Sequence, residues 1–305
     1  MIIVRLQGGL GNQLFQYAIG RVLAEINEDE LILDTHGLYI PVEGCLSRDF
    51  MLDAFNINAK IADNKLIERI KKGSLLYCLG IKKLKHIKQL VFKETDPQKS
   101  YYRFADYICR PEVTKFYPDI LVENTADIYL DGYWQSYKYF NGYEDLIKTH
   151  LTFKINYLCF DKTCLDEILN TNSVSIHLRL TDRVGTEFGL QFFRYLEWDY
   201  YLQAVGIINE RIDNPHFFIF SDNIEWCQEN LKIGFPVTYV KNQDEYNDLY
   251  LMGQCKHNII AHSTFSWWAA WLNLEINKVV IAPKKWFNHQ TDALEDLIPD
   301  TWIKI

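Results

Sequence analysis

The chain has 305 residues, of which 48% are hydrophobic, 24% charged and 15% aromatic, and its formal net charge is −8 at pH 7. This length exceeds the usual size of one hydrophobic core, so we expect two domains, at residues 1–155 and 156–305. The acidic balance argues against a general nucleic-acid-binding protein, because such proteins need clusters of cations to displace counterions from phosphates.

The first predicted elements form a β-loop-α-β unit. Residues 2–6 have the pattern of a short buried strand, a helix begins near Asn12, and residues 31–34 have the pattern of a second strand. Between the first strand and the helix, the sequence Gly8-Gly9-Leu10-Gly11 predicts a tight turn whose backbone N–H groups a ligand can approach. The turn matches neither the dinucleotide fingerprint nor the P-loop, and an ordinary helix N-terminus with turn glycines is the alternative interpretation.

The middle of the chain, residues 41–150, is rich in tyrosine and favours helix without a clear order of elements. Within it, the segment 65–93 contains nine Lys or Arg and one acid, Glu68, which gives a local charge of +8. Apolar residues recur there at helical intervals. This pattern indicates either a solvated helix face packed on the core or a helix that lies on an anionic membrane surface.

After residue 170, strand patterns alternate with helix patterns. This alternation predicts an α/β fold with a doubly wound, mostly parallel sheet. The strands are predicted at 173–180, 217–220, 236–240, 258–261 and 278–282, and the helices at 197–211, 223–231, 245–255 and 265–274.

Polar residues follow three of these strands, where ligands of open α/β sheets bind. They are His177 and Arg179, then Ser221, Asp222 and Asn223, then His262, Ser263 and Thr264, which precede the helix near Phe265. A helix N-terminus attracts anions through its N–H groups and its dipole, although Ser and Thr at such positions commonly serve as N-caps. With Arg179 at the same edge, the pattern predicts a phosphate or diphosphate site.

The cysteines and termini bear on the compartment of the protein. The seven cysteines are scattered without a C-x-x-C motif, which is typical of reduced core thiols. The first residues do not have the pattern of a signal peptide, and no apolar stretch reaches the ~20 residues that span a bilayer. The sequence therefore predicts a cytoplasmic protein, with peripheral contact to the cytoplasmic membrane face through 65–93 as the alternative named above.

Five motifs, in order along the chain, resemble those of the inverting, metal-independent α-1,2-fucosyltransferases. They are GGLGNQLFQYA at 8–18, YLDGYWQSYKYF at 129–140, SIHLRLTDR at 175–183, FIFSDN at 218–223 and IIAHSTFSWWAAWLN at 259–273. The resemblance implies a GT-B architecture of two Rossmann-like domains that face a cleft. It also implies GDP-fucose as co-substrate, no metal or other cofactor, and a galactoside-terminated oligosaccharide, free or lipid-linked, as acceptor.

The resemblance further implies roles for individual residues. His177 and Arg179 would contact the donor diphosphate. The donor site would also include Ser221, Asp222, Asn223, His262, Ser263, Thr264 and Phe265, with Gly9, Asn12 and Gln13 contributed by the N-terminal domain. Because no Asp-x-Asp motif occurs in the chain, Arg179, His177 and the helix at Phe265 would have to stabilise the leaving diphosphate without a metal.

The acceptor site and the base are less defined. Tyr133 and Trp134 are candidates to stack on acceptor sugars and Gln135 to bind a hydroxyl, whereas a core at the domain edge is the alternative. Asp182 is the candidate base, although an Asp after a strand is commonly a turn or salt-bridge residue. Asp34 and His36 are weaker candidates.

Several departures from the family pattern concern the donor. In the pattern His-x-Arg-Arg-Gly-Asp-Tyr, Leu180 replaces the second arginine, Thr181 replaces the glycine, and a cation appears instead at Arg183. His262 replaces the usual Asn, and Asn223 replaces a second Asp. Two alternatives therefore stay open, which are a transferase for another nucleotide sugar and an inactive sugar-binding module of the same fold.

Overall fold

The structure is a computed structural model that describes residues 1–39, 48–67, 99–103, 114–122, 127–180, 198–241, 244–286 and 294–305. The chain divides into two compact units. The N-terminal unit comprises Met1–Asp53 and Ile57–His150, and the C-terminal unit comprises Ala54–Asn56 and Leu151–Ile305. Each unit contains one parallel sheet.

The N-terminal unit is built on the predicted β-loop-α-β start. Its strands are β1 (Ile2–Arg5), β2 (Leu31–Asp34), β3 (Lys60–Ile61), β4 (Lys99–Arg103) and β5 (Asp127–Asp131), in the sheet order β3-β2-β1-β5-β4. Its described helices are α1 (Leu10–Ile26) and α2 (Glu144–His150), and 3₁₀ turns occur at Thr35–Gly37, Leu52–Ala54, Pro118–Ile120 and Tyr137–Tyr139. Helix α1 lies close to the sheet at Gly20, where a Cβ atom would be 2.5 Å from a methyl group of Val4.

The expectation that residues 41–150 favour helix is wrong for β3, β4 and β5. Strand β5 reads DIYLD, in which only Ile128 and Leu130 carry an aliphatic signal. Its position beside β1 depends on pairing between residues more than 120 positions apart, such as Ile2 with Ile128. Short strands of this kind are specified by their neighbours more than by their own pattern.

The C-terminal unit follows the predicted alternation closely. After α3 (Lys162–Asn170) it contains β6 (Asn172–Leu178), α4 (Trp198–Asn209), β7 (Pro215–Ser221), α5 (Ile224–Asn230), β8 (Val237–Tyr239), α6 (Glu245–Gln254), β9 (His257–Ile259), α7 (Thr264–Leu272), β10 (Val280–Ala282) and β11 (Ile303–Lys304). The sheet order is β11-β10-β9-β6-β7-β8. The predicted α/β fold with two Rossmann-like units, which the GT-B class requires, is confirmed, and β11 is an added edge strand of two residues.

The core of the C-terminal unit explains its apolar strands. Val174, Ile176 and Ile219 are fully buried between the sheet and its helices. Trp267 and Trp268 of α7 are also fully buried, and the Trp267 indole N–H donates to the Leu297 carbonyl at 2.9 Å. These tryptophans stabilise the fold because each removes a large apolar ring from water.

The predictions about the cysteines, the basic segment and membrane-spanning helices have different outcomes. Among the described cysteines, Cys227 and Cys255 are buried thiols, but Cys159 is exposed and is not a core thiol. The basic segment 65–93 lies outside the described residues beyond position 67, so both interpretations of it stay predictions. In the described part of the chain, no helix has both the length and the apolar character that a membrane crossing requires.

A short piece of the N-terminal half of the sequence belongs to the C-terminal unit. Residues 54–56 run antiparallel to 152–154, with backbone hydrogen bonds from Asn56 to Thr152 and from Lys154 to Ala54. The rings of Phe55 and Phe153 lie 4.4 Å apart, centroid to centroid. The chain therefore passes between the two units three times, after Asp53, after Asn56 and after His150.

Candidate active site

Three neighbouring strands end at one edge of the C-terminal sheet. Strand β6 lies between β9 and β7 and is parallel to both. Leu178 of β6 is in register with Ser221 of β7, and Ile176 with Ile259 of β9. The residues that follow these strands therefore lie along the same carboxyl edge, as the sequence predicts.

Arg179 and Ser263 meet at this edge. The Arg179 guanidinium donates from Nη1 to Ser263 Oγ at 3.2 Å, and Ser263 is fully buried while Arg179 is half-buried. Ser263 occupies the N-cap position of α7, yet its side chain makes no capping hydrogen bond to that helix. The hydroxyl therefore orients Arg179 at the start of α7, where the helix dipole also favours an anion.

His177 lies behind this pair on β6. It is buried, and its ring centroid is 5.6 Å from that of Phe265 in the first turn of α7. The Tyr201 hydroxyl donates to the His177 carbonyl at 3.1 Å, which anchors the end of the strand. Thr264 begins α7 and is half-buried. The structure thus brings His177, Arg179, Ser263, Thr264 and Phe265 together at one helix start.

The residues that follow β7 make hydrogen bonds to the end of β6 and to the start of α5. Asp222 Oδ1 accepts from the Leu180 N–H at 2.7 Å, which ties the ends of β6 and β7 together next to Arg179. Ser221 Oγ accepts from the Asn223 N–H at 3.1 Å. Asn223 Oδ1 accepts from the Trp226 N–H at 3.1 Å and caps α5. Asn223 therefore caps this helix, and its predicted donor contact stays a prediction.

His262 has a packing position. It is buried, and its ring contacts Trp286 edge to face with centroids 5.9 Å apart. This ring contact contributes to packing, and the predicted contact of His262 with the donor stays a prediction.

In the glycine turn of the N-terminal unit, Gly8 and Gly9 have different surroundings. Gly8 has a φ of +77°, and a Cβ atom there would lie 2.4 Å from the amide nitrogen of Asn12. Gly9 is the N-cap of α1, and a Cβ atom there would meet nothing within 4 Å in the described structure. Gly8 is thus required by the backbone, whereas the surface above Gly9 is open.

Gln13 supports this turn from inside. It is fully buried, and its amide donates to the carbonyls of Gly8 and Asp49, both at 2.9 Å, while its oxygen accepts from the Met51 N–H at 3.0 Å. Every hydrogen-bonding group of this amide is therefore used within the unit. Gln13 therefore has a structural role in this turn, and its predicted donor contact stays a prediction.

Gln16 is a residue that the sequence analysis missed. It is fully buried, accepts from the Gln7 N–H at 3.0 Å and donates to the Gly132 carbonyl at 3.1 Å. It thereby joins the segments that follow β1 and β5. The feature of the sequence that could have identified Gln16 is its amide, three positions after Gln13 on a helix face that is otherwise apolar.

The three predicted acceptor residues differ in their ring contacts, backbone conformation and hydrogen bonding. Tyr133 is buried, and Trp134 is 4% exposed with its ring edge-on to Tyr139, which favours the core alternative over stacking on sugars. Trp134 also has a φ of +54°, a rare conformation for a bulky residue that is associated with functional sites. Gln135 donates to Asn12 Oδ1 at 3.0 Å and is 7% exposed, and its own oxygen accepts no hydrogen bond from any described residue.

The structure describes two of the three candidate bases. Asp182 lies outside the described residues, so its role stays a prediction. Asp34 and His36 are described and lie together at the end of β2, with His36 Nδ1 2.7 Å from Asp34 Oδ1. Gly9, Asn12, Gln13 and Gln135 belong to the same unit as this pair.

The protein has two parallel α/β units, and the second has a cation and a helix N-terminus at its carboxyl edge. This arrangement is typical of α/β proteins that bind phosphorylated ligands. Comparison with known families narrows this class, because residues 1–305 match glycosyl transferase family 11. The protein belongs to this family and is a glycosyltransferase.

Individual relatives agree with this assignment. The chain is 29% identical over 309 residues to an alpha-1,2-colitosyltransferase of Escherichia coli, which covers 100% of the chain and 99% of the relative. It is 30% identical over 323 residues to the O-antigen biosynthesis glycosyltransferase WbnK of Escherichia coli, with 98% and 99% covered. A shorter match, 35% over 77 residues, joins 24% of the chain to 21% of human galactoside alpha-(1,2)-fucosyltransferase 1.

Proposed function

We propose that this glycosyltransferase moves L-fucose from GDP-fucose to the 2-hydroxyl of a terminal galactoside, with inversion and without a metal ion. The observation that carries the proposal is the contact between Arg179 and Ser263 at the start of α7. A guanidinium held beside a helix N-terminus is suited to bind a diphosphate, because both groups favour negative charge.

In the proposed reaction, the acceptor hydroxyl attacks C1 of the donor sugar from the face opposite GDP. The C1–O bond to the diphosphate breaks, and negative charge grows on the leaving oxygen. Arg179 and the N–H groups of α7 stabilise that charge, with His177 behind them. Preorganised groups of this kind act most strongly in the transition state, because they need no reorientation as the charge develops.

The sequence motifs and the relatives support the proposed sugar and linkage. The motifs resemble those of α-1,2-fucosyltransferases, and two of the relatives carry an α-1,2 transfer in their names. The human relative is named for transfer to a galactoside. The acceptor that we propose is therefore a galactoside-terminated oligosaccharide, either free or lipid-linked.

The test is a transfer assay with the purified chain, radiolabelled GDP-fucose and a panel of β-galactoside oligosaccharides. We expect a fucosylated product whose linkage, determined by NMR, is α-1,2. Parallel reactions contain EDTA, and we expect unchanged rates in them. Transfer that stops in EDTA and returns with Mg²⁺ or Mn²⁺ contradicts the metal-free mechanism.

Two observations favour a second donor, a nucleotide-linked colitose. The alpha-1,2-colitosyltransferase matches the whole chain, and Leu180 departs from the arginine of the fucosyltransferase pattern. Competition between GDP-fucose and a nucleotide-linked colitose separates the two donors, because the preferred one has the higher kcat/KM. Tight binding of GDP-fucose without transfer to any acceptor indicates instead an inactive sugar-binding module.

A further inference from the structure

Two consecutive tyrosines of α4 hold backbone carbonyls at the carboxyl edge of the C-terminal sheet. The Tyr201 hydroxyl donates to the His177 carbonyl at 3.1 Å. The Tyr200 hydroxyl donates to the Ile260 carbonyl at 2.7 Å. These two carbonyls lie where the neighbouring strands β6 and β9 end. The first turn of one helix therefore fastens both strand ends that lead into the proposed diphosphate site.

Helix α4 is a rigid support for these two hydroxyls. Its side chains Ala204, Val205 and Ile208 are buried in the core of the unit. Tyr200 and Tyr201 are buried as well, and their rings pack edge to face with centroids 5.0 Å apart. Burial raises the pKa of Tyr200 well above its ordinary value, so the phenol keeps its proton and remains a donor. Because buried side chains are close-packed, the two hydroxyls have fixed positions.

The Tyr201 hydrogen bond lies where β6 passes the end of β9. The described pairs of β6 with β9 end at Ile176, whereas its pairs with β7 continue to Leu178. His177 is therefore the first residue of β6 beyond these pairs with β9, and its carbonyl accepts from Tyr201. Arg179 follows two positions later, within about 7 Å of chain from this anchor. Tyr201 thus fixes the backbone that carries Arg179.

The Tyr200 hydrogen bond has the same relation to Ser263. Ile260 directly follows β9, and Ser263 comes three positions after it. The segment between them is compact, since the Ser263 N–H donates to the Ala261 carbonyl at 2.7 Å. The Ala261 N–H in turn donates to Ser266 Oγ of α7 at 3.2 Å. A shift of Ile260 would therefore displace Ser263 as well.

We propose that Tyr200 and Tyr201 are positioning residues, which set the distance between Arg179 and Ser263 in the proposed diphosphate site. The inference rests on the proposed function and concerns residues of the C-terminal unit alone. The Arg179–Ser263 hydrogen bond is 3.2 Å long, at the upper end of the usual range, so a displacement of about 1 Å would break it. Misplacement of this size lowers the rate, because the guanidinium is no longer preorganised for the charge of the leaving group.

The test removes one hydroxyl at a time and leaves the ring in place. We expect Tyr201→Phe to lower kcat for transfer from GDP-fucose about tenfold and to raise the Kd for GDP, measured by calorimetry, about threefold. The KM for the acceptor should not change. Tyr200→Phe should lower kcat and GDP affinity in the same direction, because it releases the segment that carries Ser263.

Tyr239→Phe is the matched control. The Tyr239 hydroxyl also donates to a backbone carbonyl, that of Leu231 at 3.0 Å, but Tyr239 lies on the outer strand β8 of the same sheet. Tyr201→Phe and Tyr239→Phe each remove one such hydrogen bond, so urea unfolding should show similar losses of stability. Tyr239→Phe should keep the wild-type kcat and GDP affinity. Equal losses of kcat in the two variants overturn the inference, because they would reflect stability alone.

A double-mutant cycle separates positioning from a general structural role. In an Arg179→Ala background, Tyr201→Phe should leave the GDP Kd and kcat nearly unchanged, since the group that it positions is absent. A structural role that does not act through Arg179 predicts the same loss in this background as in the wild type. That result would overturn the inference.

Failure of the inference and failure of the proposed function are distinguishable. A Tyr201→Phe enzyme with the kcat and GDP Kd of the wild type overturns the inference and leaves the proposed function intact. A wild type that binds GDP but transfers fucose to no galactoside rejects the proposed function, and the GDP titrations of the variants then decide the inference. A wild type that does not bind GDP rejects both.

Discussion

At the carboxyl edge of the C-terminal sheet, the polar groups are a guanidinium, hydroxyls and a helix N-terminus, gathered around Arg179 and Ser263. At the same edge of the N-terminal sheet, the Arg5 guanidinium is paired with Asp131, the buried Asp34 contacts the His36 ring, and Gln135 donates to Asn12. Both sheets are parallel and use the same connection rules. The same architecture thus carries different chemistry, because the guanidinium contacts a neutral hydroxyl at the C-terminal edge and a carboxylate at the N-terminal edge. In the proposed function, the C-terminal edge is the anion side and the N-terminal edge is the neutral side.

The largest expected effect tests the anion side of this comparison. Arg179→Ala should lower kcat about 100-fold or more, because one preorganised donor to the leaving group is worth ~3 kcal/mol of the barrier. The measurement is steady-state transfer from GDP-fucose. The matched control is Arg211→Ala, at an exposed arginine of the same unit, which should keep the wild-type rate. An Arg179→Ala enzyme of normal rate would remove the basis of the proposed site.

The next effect concerns the glycine turn on the neutral side. Gly8→Ala should lower the free energy of unfolding by about 2 kcal/mol or more, because a left-handed φ costs ~1–2 kcal/mol and the new methyl group meets Asn12. Gly142→Ala is the matched control, since its φ is +86° but nothing lies within 4 Å of the new methyl group. Thermal and urea unfolding measure both. Equal losses in the two variants would argue against the contact with Asn12.

A smaller effect should separate acceptor from donor binding. Gln135→Leu should raise the acceptor KM about fivefold, since it removes the proposed hydrogen bond to an acceptor hydroxyl, worth ~1 kcal/mol, together with the amide contact with Asn12. The affinity for GDP-fucose should stay unchanged. Gln203→Leu, at an exposed position on α4, serves as control. A rise in the donor Kd alone would place Gln135 on the anion side of the comparison.

The smallest effect tests a structural assignment within the anion side. Asn223→Ala should lower the stability by about 1 kcal/mol through loss of the α5 cap, with little change in kcat. Differential scanning calorimetry and the transfer assay together check this. A tenfold weaker affinity for GDP-fucose at unchanged stability would restore Asn223 to the donor site.

The two units also differ in how far their sequence predicts them. The meeting of Arg179 and Ser263 was predictable, because parallel strands of clear pattern carry the residues after them to one edge. Strand β5 was not, because DIYLD gains its identity from β1, more than 120 residues away in sequence.

Side-chain roles within the site were harder to predict than strand ends. Gln13 and Asn223 are polar residues at turns, and their sequence context fits a ligand contact or an internal hydrogen bond equally well. Only the tertiary structure shows that Gln13 binds Gly8, Asp49 and Met51, and that Asn223 caps α5. The contact of His36 with Asp34 is different, because the two residues lie two positions apart and Asp34 Oδ1 also accepts from the His36 N–H in a local turn.

The placement of residues 54–56 beside 152–154 has a practical consequence for protein engineering. A fragment that starts at Leu151 would leave Phe153 without the ring of Phe55 and would lose the hydrogen bonds of Lys154 and Thr152 to that segment. Chimeras that exchange N-terminal halves between members of the family should therefore keep 54–56 with the C-terminal half, since a single junction at residue 150 would separate segments that are hydrogen-bonded to each other.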